Sequence, residues 1–190
     1  MEITPSEAEQ ALNTIQSMVR KTRQAVSSSG GYLYLFVWGT IWLIGFACSQ
    51  FLADAVVGKI WAVLNILGAV LSTVIGIRMS RGVRSTSASP LLGKRIGLFW
   101  LLLWFFCGAA IAVIWPPEPK QLAVMIILFV MTGWIAMGLL LSMMSAYWGV
   151  AFTILALVAY FLLPDYFYII MAILGGGGMI ALGFYIHSRW

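Results

Sequence analysis

Six runs of predominantly apolar residues, near 32–53, 57–78, 96–115, 121–142, 145–163 and 166–187, dominate this chain and constrain its fold more than any other feature. A helix crossing about 30 Å of hydrocarbon needs roughly 20 apolar residues, and each run has about that length. In lipid every backbone N–H and C=O must be satisfied within the segment, which selects α-helix for each run. The expected fold is therefore all-α: a polytopic membrane protein of six transmembrane helices. A composition of 62% hydrophobic and 9% charged residues agrees, because soluble domains run at about half apolar and a quarter charged.

The charges cluster in the flanks. With the N-terminus in the cytoplasm, Arg20, Lys21, Arg23, Arg78, Arg81, Arg84, Lys94, Arg95 and Arg189 fall inside, leaving Lys59 and Lys120 outside. This asymmetry predicts a multi-pass protein of the plasma membrane with an even number of spans and both termini cytoplasmic. Asp54, Glu118 and Asp165 fall in the three outer connections. The net charge of +5 then reflects topology and anionic lipid, and predicts no nucleic-acid partner. The first apolar run begins only after about thirty mostly polar residues, unlike a cleavable signal, so the first helix is expected to stay in the mature protein.

Two units are expected: residues 1–30, a cytoplasmic amphipathic helix and its joint, and residues 31–190, the six-helix bundle. In the first, Thr4, Pro5 and Glu7 form a capping box with proline at the first helical position. Ala8, Leu12, Ile15, Val19, Thr22 and Val26 then lay a modestly apolar stripe along one face. With few large side chains and no aromatic anchor, Leu12, Ile15 and Val19 read as a face for docking on protein rather than for deep insertion into lipid. Residues 5–26 would thus contact a partner protein or a second copy. "SSSGG", Ser27 to Gly31, is the flexible joint.

An internal echo runs through the bundle. Trp38 and Trp42 stand one turn apart, as do Trp100 and Trp104 62 positions later; "KIWAV" from Lys59 is echoed by "KQLAV" from Lys120, 61 positions later. Three tandem helical hairpins account for both. "ILG" at Ile66 and at Ile173, each followed by a further glycine, Gly76 and Gly183, links the second and sixth helices.

Reactive chemistry has little to work with. His187 is the single histidine, which leaves bis-histidine haem, zinc sites and serine–histidine–acid triads without partners at a common depth. Cys48 and Cys107 lie within apolar runs without redox or metal spacing and read as small hydrophobes, while Met125, Met131, Met137 and Met143 scatter around their helix as fillers. No catalytic residue, cofactor or metal is expected. Asn65, Ser72 and Thr73 form a polar track along the second run, with Asn65 bonding across to a neighbouring helix or touching a solute. "WPPEPK", Trp115 to Lys120, is a rigid outer turn.

"AILGGGGMIALGFY", Ala172 to Tyr185, places four successive glycines in the sixth run. It has no Lys-Ser or Lys-Thr after the glycines and no preceding strand, which sets aside a phosphate loop. The expectation is an unbroken helix whose small residues, Ala172, Gly175, Gly176 and Gly183, let a neighbour approach closely, with Gly68 and Gly76 of the second helix as one counterpart. The chain as a whole reads as a non-catalytic subunit, assembly factor or anchoring partner of a membrane complex. The alternative is an uncoupled channel or facilitator for a neutral or apolar solute.

Overall fold

The computed structural model describes residues 9, 10, 14, 32–82, 90–140 and 145–189. Leu12, Ile15 and Val19 lie outside the described residues, as do the capping box and the Ser/Gly joint. The described fold is all-helical: α1 (Tyr32–Phe51), α2 (Asp54–Gly82), α3 (Pro90–Val113), α4 (Pro119–Leu140) and α5 (Ser145–Leu162) precede a composite last helix. That last helix opens on a 3-10 turn, Pro164–Tyr166, continues as α6 (Phe167–Ile170), widens into a π-helical segment, Met171–Gly177, and ends as α7 (Gly178–Arg189).

Five of these helices are long and apolar enough to cross a membrane: α1, α2, α3, α4 and the last helix. The sixth, α5, has 18 residues and reaches roughly 27 Å at 1.5 Å per residue. Both α2 and α3 outlast their apolar runs, α2 to Gly82 and α3 from Pro90. Helical hydrogen bonding does not stop where hydrophobicity does, so charged residues continue the winding beyond the apolar stretch. Between α3 and α4 the Trp115–Pro116 peptide is cis, and Leu122 N donates to Glu118 O at 2.9 Å as α4 begins.

The helices pack in the order α2, α1, last helix, α5, α4, α3. The closest pairings join α4 to α5 and α1 to the last helix, whereas α3 rests on α4 through a smaller contact. The core lies where α1, α4, α5 and the last helix converge, and the largest of its fully buried side chains are Phe167, Ile127, Met131 and Met171. Small residues pack there too: Ala156, Ala159 and Ala172 are buried, while Phe105, Phe106, Val113, Leu139 and Leu140 point outward. Large and small side chains are thus buried side by side, chosen by fit rather than polarity, as lipid requires, because the surroundings are as apolar as the core and only close van der Waals contact distinguishes inside from outside.

The flanking helices are different. Only 6% of the apolar window of α2 or α3 is buried, against 28% for α1 and α4 and 33% for the last helix. Each therefore presents most of its apolar surface sideways.

Candidate functional site

The candidate site is α1, the helix on which both glycine-bearing neighbours converge. On one side, Gly68 and Gly76 of α2 face it: a methyl group built on Gly68 would lie 2.6 Å from Cδ1 of Ile41 and 3.2 Å from the Trp38 ring, and one on Gly76 3.2 Å from the Tyr34 hydroxyl. On the other side, Gly176 approaches backbone to backbone, its added methyl 2.5 Å from Leu43 N and 2.7 Å from Gly39 O. Gly175 sits under Trp42 and the end of Met171, Gly183 under Phe36, and Ala172 is 2% exposed. The two glycine sets thus do not receive one another, as their parallel spacing suggests; α1 lies between them. Its own glycines make this feasible, Gly39 admitting the last helix and Gly45 admitting Trp61 of α2.

The four-glycine run departs from the expected α winding. Met171–Gly177 is π-helical, with backbone bonds reaching one residue further than in an α-helix, so its polar groups stay paired in the apolar interior as lipid demands. Glycine carries no Cβ to oppose the wider turn and disfavours α-helix by about 1 kcal/mol relative to alanine.

The polar track resolves into local and interhelical bonds. Asn65 Nδ2 donates to Trp61 O at 2.8 Å within its own helix, and Thr73 Oγ1 donates to Ala69 O at 2.8 Å. Neither crosses to a neighbour by these bonds, because the carbonyl four residues back is the nearest acceptor that a short polar side chain meets in lipid. Ser72 does cross: its hydroxyl accepts the Trp38 indole N–H at 3.2 Å, and its carbonyl accepts from Tyr34 at 3.3 Å.

A second indole repeats this arrangement in the opposite sense. Trp61 Nε1 of α2 donates to Ser49 Oγ of α1 at 3.0 Å, and the Ser49 hydroxyl donates in turn to Gly45 O at 2.8 Å. The Trp61 ring covers Gly45 while Trp38 covers Gly68. Each helix thus supplies one tryptophan and receives the other's on a glycine and a serine one turn apart. The pattern is visible in the residues: Trp38, Gly45 and Ser49 are spaced 7 and 4, and Trp61, Gly68 and Ser72 repeat that spacing 23 positions on. Steps of 7 and 4 fall on one helix face. Antiparallel packing then turns two identical faces into a reciprocal clasp. Comparing one hairpin with the next does not reveal it, because the repeat lies within a single hairpin.

The clasp supplies a direct test. Trp38→Phe, which removes the indole N–H together with the outer ring atoms that cover Gly68, should cost more than the about 0.5–1.5 kcal/mol of the hydrogen bond alone. A double-mutant cycle with Ser72→Ala, read by thermal or denaturant unfolding in detergent micelles, should show coupling near ~0.6 kcal/mol. Strict additivity would mean that the two side chains do not share a bond.

Beside Cys107 a cavity of about 10 Å³ is lined by Trp100, Leu103, Trp104, Phe129 and Val130, space for one water at most. Both cysteines are free thiols, and among the described residues no three of His, Cys, Asp and Glu gather as a metal set. At the end of α1, Gln50 Nε2 donates to Asp165 O at 3.2 Å, tying that end to the start of the last helix. Compared with protein-family models, curated proteins and solved structures, the chain matches none.

Proposed function

We propose that this is a non-catalytic integral membrane protein that serves as a subunit, assembly factor or anchoring partner of a membrane complex. One observation carries the reading: in α2 and α3, the helices at the two ends of the packing order, only 6% of each apolar window is buried. Gly58 on α2 and Gly97 and Gly108 on α3 have open space where a side chain would be, room for a neighbouring helix to come close. In this reading the six helices all span the plasma membrane with both termini in the cytoplasm, as the basic residues favour, and residues 5–26 make the cytoplasmic contact. Descent from three tandem hairpins belongs to this reading, with the first two alike in resting a tryptophan on a glycine, Trp38 on Gly68 and Trp100 on Gly133.

The test is purification of the full chain from its own membranes in a mild detergent, beside a variant lacking residues 1–29. A stoichiometric companion protein that is lost from the shortened chain is the expected result. A full-length chain that emerges alone from every mild extraction overturns the proposal.

A further inference from the structure

Although α2 and α3 end the packing order, they lie on one side of the bundle. Around α1, Trp38 and Gly45 meet α2 while Gly39 and Leu43 meet the last helix, and these pairs stand on opposite sides of the core residue Leu35. Around α4, Val130 and Gly133 meet α3 while Met131 and Ile135 meet α5, on opposite sides of the core residue Ile127. The last helix and α5 touch each other, so α2 and α3 share the other side. They are not themselves a closely packed pair, although only residues 83–89 join them, a span of at most about 30 Å. A gap open to the membrane runs between them.

The sides turned to this gap are distinct. Going round α2 from the face that meets α1, the gap side carries Ala62, Ala69 and Thr73, whereas the outer side carries Val63, Val70 and Val74. On α3 the gap side is Lys94, Gly97, Leu101, Trp104 and Gly108, at steps of three and four, whereas Leu98, Leu102 and Phe106 point outward. Protein leaves the space free: an added methyl on Gly97 or Gly108 meets nothing within 4 Å, and Leu101 is 65% exposed.

Charge marks one end of the gap. Lys94 closes the gap-facing row of α3, with Arg95 next to it and Arg78 near the same end of α2, all three exposed. Arg78 follows Asp54 by 24 residues, about 36 Å of helix, which carries it past the hydrocarbon to the level of the headgroups. From residue 32 onward the acids are Asp54, Glu118 and Asp165, and all three stand at the opposite end of the bundle.

We propose that the gap between α2 and α3 binds one anionic phospholipid, its acyl chains between the two helices and its phosphate at Lys94, with Arg95 and Arg78 beside it. An apolar slot calls for hydrocarbon and an uncompensated basic rim for a negative headgroup; an anionic lipid supplies both in one molecule. The site goes beyond the companion protein proposed above. A companion helix entering the gap would displace the lipid, whereas lipid binding is read on the chain alone.

The test reconstitutes the full chain in vesicles of equal parts phosphatidylglycerol and phosphatidylcholine with identical acyl chains, extracts it in a mild detergent and identifies the retained lipid by native mass spectrometry. Phosphatidylglycerol should be retained with at least about tenfold preference. Lys94→Gln with Arg95→Gln should lower that preference about fivefold or more, while Lys59→Gln with Lys120→Gln, at the other end, leaves it unchanged. Gly97→Leu with Gly108→Leu, which fill the gap, should abolish retention. Equal retention of the two lipids by the unsubstituted chain overturns the proposal without recourse to any variant. So does a preference that both charge variants lose equally, or retention that survives filling of the gap. Displacement of the lipid by inorganic phosphate would show a site for the anion alone and overturns it as well.

Discussion

Gly176→Val should separate α1 from the last helix and destabilise the protein by about 3 kcal/mol, the upper end of the range for overpacking a closely fitted interior. Even the first carbon of the new side chain would lie 2.5 Å from Leu43 N and 2.7 Å from Gly39 O. These are backbone atoms of a helix and cannot rotate aside as a side-chain tip can. The helices must move apart, and the contacts of Trp42 over Gly175 and Phe36 over Gly183 loosen with them. Unfolding in detergent, followed by tryptophan fluorescence or denaturant titration, should register the loss. The neighbouring Gly177→Ala should leave stability unchanged or raise it by up to ~1 kcal/mol, because the helix gains propensity and the methyl enters open space. Equal losses at the two positions would show that the effect belongs to the glycine run in general and not to the approach of α1.

Phe167→Ala should be comparably damaging. The side chain is fully buried and meets Phe46 at 6.4 Å, Tyr160 at 6.2 Å and Tyr168 at 5.3 Å between ring centroids, each with its ring plane steeply inclined to that of Phe167. Edge-to-face contacts of this kind add about 0.5–1.5 kcal/mol each beyond area burial. In lipid the unfolded helices are also in apolar surroundings, so the loss comes chiefly from the cavity and the broken contacts rather than from transfer out of water. About 3 kcal/mol is expected, the lower end of the range for such truncations, with Phe167→Leu recovering more than half. A loss below ~1 kcal/mol for Phe167→Ala would mean that neighbours collapse into the space and that α1, α5 and the last helix are not held together through this ring.

The contrast between these residues and the polar track separates what is legible in the sequence from what is not. Asn65 stands out as an amide in an apolar run, but its oddity is local: it bonds the carbonyl of Trp61 on its own helix, an option that composition does not reveal. Trp38 and Trp61 stand out in the sequence only as members of an internal echo, yet each indole N–H crosses to a serine of the facing helix. The spacing of that clasp is present in the residues. Its meaning depends on α1 and α2 running antiparallel, face to face. The small size of the glycines marks a packing surface, and their weak preference for α-helix permits the π winding without specifying it, because how the neighbours hold the segment decides where the wider turn forms.

Residue order alone establishes the all-helical class, the number of apolar runs and, through the length of each run and the need to satisfy its backbone in lipid, where the helices lie. Three features come into being only when the helices assemble: α1 stands between the two glycine-bearing helices, α2 and α3 are left at the flanks, and the last helix widens at Met171–Gly177. The cause is that in a bilayer every face of every helix is apolar. Hydropathy then carries no signal for which face turns inward, and the choice passes to the fit of a glycine beneath a tryptophan or of one backbone against another, which exists only once the helices are side by side.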